Sequence, residues 1–280
     1  MATTELSLVD LLQIAADIDV VDVGANPIDG ERPYRPLMSN GIARVVGFEP
    51  NEEALDRLLQ QRGPHETYLP HAIGDGKRHT LHICRAEGMN SLLRPNDELL
   101  KLFHGFPQWG EIVRTREIDT VRLDDVPQIQ DVDLLKIDIQ GAELMVFQHA
   151  TKVLSRCVVV HTEVEFLPLY VDQPLFSDVE RFLRAQGFVL HKFDDMVSRA
   201  IAPMLIGGDV FKGLGQVVWS DAIFVRDFTR LGAMESDKLL KMSIILHDMY
   251  GSHDLVLLLL REHDRRLNTA YADTYLEALN

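Results

Sequence analysis

The sequence lacks the features of several common protein classes, and each absence narrows what the chain can be. It has only two cysteines, Cys84 and Cys157, in separate apolar runs, so neither a disulfide framework nor a cysteine zinc site is expected. The longest aliphatic run, Leu255–Leu260, is far below the roughly 20 residues of a membrane span. The N-terminal region also lacks the charged and apolar segments of a signal peptide. These absences predict a cytoplasmic protein with free, buried thiols.

Basic residues are few relative to acidic ones. The chain carries 28 Lys and Arg against 43 Asp and Glu, a formal net charge of −15 at pH 7. Such a surface repels phosphate backbones and anionic lipid headgroups, so we expect no nucleic-acid or membrane partner. The 280 residues, 46% of them hydrophobic, suffice for one large domain and an appendage.

Residues 20–51 carry the pattern that is most informative about function. An apolar run ends at Asp22, turns through Gly24 and returns as a second apolar run that ends at Glu49. This pattern is typical of a βαβ unit with a glycine in its first turn and an acidic residue closing its second strand. A carboxylate there can accept hydrogen bonds from both hydroxyls of a ribose. The unit therefore predicts a nucleoside-containing cofactor.

The glycine-bearing turn favours one cofactor over another. A dinucleotide site uses three glycines so that backbone N–H groups can approach a pyrophosphate. Here Asn26 replaces the second glycine and Pro27 removes a donor. Asp22, Asp29 and Glu31 add negative charge that repels a pyrophosphate. The positive sulfonium of S-adenosylmethionine suits this acidic turn better than NAD or NADP.

Strand and helix patterns alternate to about residue 193, and a further strand follows over 217–225. This order predicts an α/β fold with a doubly wound, mostly parallel, Rossmann-like sheet and a late antiparallel strand. Residues 132–139 are apolar on both faces and predict a central strand, followed by one helix over 142–154. The irregular residues 86–110 are typical of a lid or substrate loop.

Further helices are predicted from local patterns. Asn51 is a good N-cap for a helix whose buried stripe includes Leu59, and a capping box at 177–180 predicts another helix start. Beyond residue 230 only helix patterns remain. We therefore expect a domain over 1–230 and a helical C-terminal appendix over 231–280. The appendix either covers the sheet or pairs with a second copy in a homo-oligomer.

Five short motifs together resemble those of the FkbM-type methyltransferases, in their order and spacing over roughly residues 15–228. They are DVGAN at 22–26, GFEPN at 47–51, AIGDG at 72–76, DLLKIDIQGAEL at 133–144 and TEVEF at 162–166. That family consists of class I, S-adenosylmethionine-dependent enzymes that mostly methylate hydroxyl oxygens of sugars and natural products. The resemblance implies an O-methyltransferase with a small-molecule or glycan acceptor. Two departures are the long turn after Asn26 and Gln140, where the family commonly has glutamate.

The resemblance also implies roles for particular residues on the cofactor side. Asp22, Gly24 and Asn26 match the motif beneath the methionine part of the cofactor, and Glu49 matches the ribose ligand. The resemblance places Ala72 and Ile73 beside the adenine. Asn26 also suits a tight turn by itself, and Glu49 can simply end a strand.

Carboxylates that end neighbouring strands are the candidates for acceptor chemistry. Asp138 and Glu163 should meet at the carboxyl edge of the sheet, within about 10 Å of each other. Either can accept the proton of an acceptor hydroxyl, as can Glu143, with His161 a weaker candidate. Glu143 equally suits the first turn of a helix without any catalytic duty. The other histidines show no ligand spacing, and no metal site is predicted.

Two other functions remain open from the sequence. One is an oxidoreductase or epimerase that uses NAD or NADP, against which Asn26 and Pro27 count. The other is a non-catalytic module that keeps the cofactor pocket and scaffolds glycan enzymes, which Gln140 slightly favours. Turnover of cofactor in the presence of acceptor distinguishes an enzyme from a scaffold.

Overall fold

A computed structural model of the chain describes residues 6–26 and 30–279, and the elements below are those of these residues. The strands are β1 (Ile18–Val23), β2 (Ala43–Phe48), β3 (Glu66–Leu69), β4 (Ala72–Ile73), β5 (Arg78–Cys84), β6 (Ile112–Val121), β7 (Leu134–Ile137), β8 (Val159–Glu165), β9 (Phe188–Ser198) and β10 (Val217–Arg226). The helices are α1 (Leu8–Leu12), α2 (Arg35–Ser39), α3 (Glu52–Gln61), α4 (Asp97–Leu100), α5 (Phe106–Trp109), α6 (Glu143–Gln148), α7 (Thr151–Arg156), α8 (Phe176–Ala185), α9 (Ser236–Tyr250), α10 (His253–Leu267) and α11 (Tyr271–Ala278).

Seven strands form the main sheet in the order β3-β2-β1-β7-β8-β10-β9. The first five of these are parallel, and β10 runs antiparallel to both of its neighbours. The predicted doubly wound, mostly parallel sheet with a late antiparallel strand is confirmed. Strand order reverses between β1 and β7, which is where α/β sheets open a crevice beyond their carboxyl ends.

Alternating residues of the central strands bury both faces of the main sheet. On one face, Val20 and Leu134 pack in a cluster with Leu239 and Leu259 of α9 and α10. On the other face, Leu135 packs in a second cluster with residues of α6, α7 and α8. Successive side chains of a strand point to opposite faces of the sheet. Because helices cover both faces, the central strands are apolar at almost every position.

The C-terminal helices cover the sheet. Leu255, Leu259 and Leu260 of α10 are at most 6% exposed, whereas Leu258 faces outward at 43%. The prediction that this apolar run is buried is therefore confirmed, and its contacts include the main sheet. The terminal helix α11 has no counterpart in the predicted elements. Among the described residues, no helix combines the length and apolar composition needed to cross a bilayer.

A small second sheet, with the order β4-β6-β5, lies beside the main one. Strands β5 and β6 pair antiparallel, and β4 joins β6 in parallel. The alternating pattern of residues 78–84 is typical of a strand, but a local pattern does not show which sheet a strand joins. This sheet supplies one wall of the site described below.

The helix predicted over 142–154 is instead two helices, α6 and α7. The break lies at Ala150, whose φ of −127° and ψ of 32° depart from helical values. Asp124 accepts hydrogen bonds from the backbone N–H groups of Lys152 (3.1 Å) and Val153 (2.9 Å) and so caps the second helix. A helix restarts where its first donors have a partner, and this partner lies far away in the sequence.

Two further local predictions were wrong in detail. Helix α8 begins at Phe176, because Asp178 rather than Glu180 accepts the backbone N–H that precedes the helix, from Leu175 at 3.1 Å. Leu59 is 36% exposed and lies at the edge of the buried stripe of α3. The Asn51 cap of that helix is confirmed by a bond from the N–H of Ala54 at 3.1 Å.

Candidate active site

A cavity of about 880 Å³ lies at the carboxyl ends of the parallel strands. Its lining comes from the turns after β1, β2 and β7, from β8 and β10, and from the inward face of the β5–β6 hairpin. Volumes of this order are typical of ligand pockets. The side chains predicted from residues 20–51 and from Asp138 thus face one common space.

Gly24 begins the turn at the centre of this cavity. Its φ is +79°, and a Cβ atom built on it would lie 2.1 Å from the carbonyl oxygen of Asp138. The N–H groups of Gly24 (3.2 Å) and Ala25 (3.0 Å) both donate to the carbonyl oxygen of Phe48. Only glycine permits both this backbone conformation and this close approach. The turn is therefore fixed between β2 and the end of β7.

Asp22 lies beneath that turn and is 1% exposed. Its Oδ2 accepts a hydrogen bond from the hydroxyl of Tyr34 at 2.7 Å. Its Oδ1 is buried, has no hydrogen bond from any described residue and lies 3.4 Å from Lys136 Nζ. Pro27 and Asp29 of the same turn lie outside the described residues.

Lys136 partly neutralises the turn that the sequence presents as acidic. Its Nζ donates to the carbonyl oxygen of Gly24 at 3.0 Å and lies 3.4 Å from Asp22 Oδ1 and 4.0 Å from Asp138 Oδ2. Burial lowers the pKa of Lys136, but Asp22 and Asp138 outweigh burial and the pKa is raised overall. The ammonium group therefore stays charged beneath the turn.

Glu49 follows β2 and forms another part of the cavity wall. It is 7% exposed, and its Oε1 accepts a hydrogen bond from the N–H of Asn51 at 2.7 Å. Burial raises the pKa of Glu49, and the negative charges of Glu87 and Asp22 add to the effect. Asn26 also lines the cavity, where its Nδ2 donates to Glu87 Oε1 at 3.1 Å.

Ala72 and Ile73 line the same cavity and are at most 8% exposed. The β5–β6 hairpin contributes the apolar side chains Leu81, Ile83 and Ile118 to the same lining, together with Arg114 and Arg116. The sequence predicts the first pair but gives no sign that the hairpin folds over them. The apolar members of this lining, called the apolar slot below, offer the kind of surface on which a flat heterocycle packs.

The three candidate acceptor carboxylates meet at the end of β7. One oxygen each of Asp138, Glu143 and Glu163 lies within 4.8 Å of the others. The predicted proximity of Asp138 and Glu163 is thus confirmed, while their chemical roles remain predictions. Asp138 lines the cavity with a side chain 34% exposed, whereas Glu163, which was expected to flank the cavity too, is not among its lining residues and contacts the lining residue Gln140.

Glu143 has contacts that hold the turn after β7 in place. It is 2% exposed, and its Oε1 accepts from the N–H groups of Ile139 (2.8 Å) and Gly141 (3.2 Å). Burial raises the pKa of Glu143 to about 7. These bonds match the alternative that the sequence left open, in which Glu143 serves the helix start.

The far end of the cavity is acidic. His161, 4% exposed, contacts the hydroxyl of Tyr250 through Nδ1 at 3.1 Å and lies 3.6 Å from Asp221 Oδ2 through Nε2. Asp194 and Asp195 of β9 complete this end. Sequence reasoning selected His161 but missed the three aspartates, because β9 and β10 reach the site only through the sheet order.

Part of the irregular segment 86–110 also reaches the cavity. Glu87, Gly88 and residues 90–92 contribute to its lining. Ser91 is 1% exposed and donates from its hydroxyl to the carbonyl oxygen of Gln140 at 2.7 Å. The segment thus packs directly against the turn that carries the candidate carboxylates.

The strand order, the antiparallel β10 and a cavity at the switch point define a class I methyltransferase fold. The chain belongs to the FkbM methyltransferase family: residues 22–190, more than half of its length, match the methyltransferase FkbM domain. The protein is a methyltransferase, and this assignment favours methyl transfer over the nicotinamide chemistry and the non-catalytic scaffold that the sequence alone left open.

Individual proteins are similar to this chain to different degrees. The 2-O-methyltransferase NoeI of Sinorhizobium fredii (strain NBRC 101917 / NGR234) is 28% identical over 207 residues, which cover 65% of this chain and 82% of that protein. The 16S rRNA (adenine(1408)-N(1))-methyltransferase of Catenulisporales acidiphilia is 13% identical with a TM-score of 0.37, covering 81% and 97% of the two chains. An antibiotic-related methyltransferase is 12% identical with a TM-score of 0.32, covering 80% and 96%.

Proposed function

We propose that the protein is an S-adenosylmethionine-dependent O-methyltransferase that acts on a hydroxyl of a saccharide or glycoconjugate. The observation that carries this proposal is the meeting of two sets of residues in one cavity. Asp22, Gly24 and Glu49, which we assign to the cofactor, line the same cavity as Asp138, which we assign to the acceptor. A transferase needs both groups next to each other, so that donor and acceptor are aligned.

The residues present fit S-adenosylmethionine. Asp22, buried beneath the Gly24 turn, supplies negative charge that attracts the ammonium group of the methionine part. Glu49 can accept from both ribose hydroxyls, and the apolar slot at Ala72 and Ile73 suits adenine. When bound, the cofactor supplies a methyl group already activated on a sulfonium.

The chain's own residues then have a limited chemical task. The acceptor oxygen must be aligned with the methyl carbon and must lose its proton as the carbon–oxygen bond forms. Asp138 faces the cavity and accepts that proton in this scheme. Lys136 Nζ lies 4.0 Å from Asp138 Oδ2 and so places a positive charge beside that carboxylate.

Two observations support this class of methyl acceptor. The similar NoeI protein is named a 2-O-methyltransferase, which supports a hydroxyl acceptor. The far end of the cavity presents Asp194, Asp195 and Asp221. Carboxylates hydrogen-bond to sugar hydroxyls but repel anions. We therefore infer a neutral, polyhydroxyl acceptor rather than a uronic acid or a phosphosugar.

A direct test measures methyl transfer from radiolabelled S-adenosylmethionine to a panel of p-nitrophenyl glycosides. The panel contains neutral hexosides and 6-deoxyhexosides, the 2-deoxy analogue of each, and the glucuronide as an anionic control. The expected result is transfer to at least one neutral glycoside and none to the glucuronide. Transfer to none of the sugars, together with transfer to a catechol or a protein side chain, would contradict the saccharide proposal.

A further inference from the structure

Gln140 has an unusual place in the turn after β7. Its φ is +60°, and the following Gly141 has a φ of +99°. A non-glycine residue in the left-handed region is uncommon and is maintained only where its surroundings hold it. Gln140 also lines the cavity.

The side-chain amide of Gln140 bridges Asp138 and Glu163, two of the carboxylates that are candidates for the catalytic base. Its Nε2 donates to Asp138 Oδ1 at 2.9 Å and to Glu163 Oε2 at 2.9 Å. An amide nitrogen has two hydrogens, so both are used by these bonds. The amide therefore occupies the space between two groups that would otherwise repel each other.

Two neighbours fix the direction in which this amide points. The hydroxyl of Tyr170, a fully buried residue, donates to Gln140 Oε1 at 3.2 Å. Ser91 Oγ donates to the Gln140 backbone carbonyl at 2.7 Å. The Tyr170 hydroxyl donates a hydrogen bond to the amide oxygen, and two carboxylates accept hydrogen bonds from the amide nitrogen. Only one orientation of the amide satisfies all of these bonds.

We propose that Gln140 is a positioning residue. It fixes the positions of the Asp138 and Glu163 carboxylates relative to each other and keeps the Asp138 carboxylate directed at the methyl acceptor. This rests on the proposed function, in which Asp138 accepts the acceptor's proton. Gln140 itself touches neither a reacting atom nor the transferred proton in this scheme. Its contribution is to supply one donor to each carboxylate, with Tyr170 holding the donor in place.

The electrostatics around Glu163 provide a readout for this arrangement. Burial raises the pKa of Glu163 well above its ordinary value, and the charges of Asp138, Glu165, Glu143 and Asp221 raise it further. A donor to its carboxylate acts in the opposite direction, because it favours the charged form. Loss of the Gln140 donor should therefore move the titration of Glu163 to higher pH.

The test compares the wild-type protein with Gln140→Met and Tyr170→Phe. Methionine keeps the length of the side chain and removes both donors, whereas phenylalanine removes only the hydroxyl that orients the amide. Carbon-13 NMR of labelled glutamate carboxyls follows Glu163, with its resonance assigned by its loss in Glu163→Gln. Melting temperature and S-adenosylhomocysteine affinity are measured on each variant.

We expect the Glu163 midpoint to rise in Gln140→Met and to rise less in Tyr170→Phe, with S-adenosylhomocysteine affinity unchanged. Turnover of the best glycoside should fall by about ten- to a hundredfold in Gln140→Met, mainly in kcat. A lower melting temperature with an unmoved Glu163 midpoint would overturn the proposal and leave Gln140 a structural residue. Absence of S-adenosylhomocysteine binding by the wild type would instead contradict the proposed function, and the titration would still test the amide bridge.

Discussion

Two buried networks of lysines and carboxylates lie at opposite ends of the main sheet. At the amino ends of the strands, Asp133 is fully buried and accepts from Lys238 (2.6 Å), Lys241 (3.0 Å) and the N–H of Asp19 (2.9 Å). At the carboxyl ends, Lys136 lies between Asp22 and Asp138 at 3.4 and 4.0 Å. The residue types are the same, but the bonding is not.

The difference is whether the hydrogen bonds are complete. Both oxygens of Asp133 have donors within 3.0 Å. Asp22 Oδ1, by contrast, has no hydrogen bond from a described residue, and Asp138 is open to the cavity. A completed network stabilises the fold, whereas an incomplete one leaves groups able to bind a ligand. The following predictions test this contrast between the two networks.

The largest effect should come from the open network. Asp138→Asn keeps the shape of the side chain and removes the base, so turnover should fall by about 10²–10⁴. The melting temperature and S-adenosylhomocysteine affinity should change little. The assay is methyl transfer to the best glycoside of the panel. Turnover near the wild-type rate would make Asp138 structural, and Glu163→Gln would then be the variant to examine.

The closed network should respond in stability instead. Asp133→Asn leaves two lysines without their shared charge partner, which should cost about 3 kcal/mol of unfolding free energy. Chemical denaturation measures this loss, and turnover per folded molecule should be retained. Asp17→Asn, at a side chain 59% exposed, is the matched control and should change stability by less than about 0.5 kcal/mol. Equal effects of the two substitutions would contradict the contrast.

Glu49 tests the proposed cofactor side of the cavity that the open network lines. If Glu49 binds both ribose hydroxyls as proposed, Glu49→Ala removes two charge-assisted hydrogen bonds, and affinity for S-adenosylhomocysteine should fall by at least about tenfold. Glu52→Ala is the control, since Glu52 also lines the cavity but is exposed at the start of α3. Calorimetry on both variants checks the prediction. Equal affinities for both would mean that Glu49 only ends its strand.

The smallest effect is a difference in pH dependence. Burial raises the pKa of Glu143 to about 7, so its contribution to stability is present at low pH and is lost as pH rises toward 7. Asp131 behaves oppositely: burial raises its pKa, but the N–H of Val132 and Lys238 outweigh burial and lower it. Its contribution is lost as pH falls.

Unfolding free energies of Glu143→Gln and Asp131→Asn, each measured relative to wild type from about pH 2 to pH 8, check these signs, because the Asp131 contribution is lost below its unfolded pKa. The stability of Glu143→Gln relative to wild type should rise with pH, and that of Asp131→Asn should rise as the solution becomes acidic. If the relative unfolding free energies of the two variants changed with pH in the same direction, the expected difference in pH dependence between Glu143 and Asp131 would be contradicted.

Much of this arrangement is predictable from the sequence, since strand ends carry strong local signals. The acidic ends at Asp22, Glu49 and Asp138 are each preceded by an apolar run, and parallel strands bring such ends together. The proximity of Asp138 and Glu163 followed from strand spacing alone. Local patterns are reliable for these features because the sheet fixes their relative positions.

The missed features depend on contacts between distant segments. The break before α7 depends on Asp124, and the orientation of Gln140 depends on Tyr170, thirty residues further along. The charge balance of the glycine turn depends on Lys136, 112 residues away from Gly24. No local pattern contains this information, so the sequence presented the turn as more acidic than it is.

The central claim is that the open network at the carboxyl ends of the strands forms the binding site for S-adenosylmethionine. Isothermal titration calorimetry of the wild-type protein with S-adenosylhomocysteine, and separately with NAD and NADP, tests it most directly. The account predicts stoichiometric binding of S-adenosylhomocysteine and no measurable heat from either dinucleotide. Binding of NAD or NADP with no binding of S-adenosylhomocysteine would contradict it.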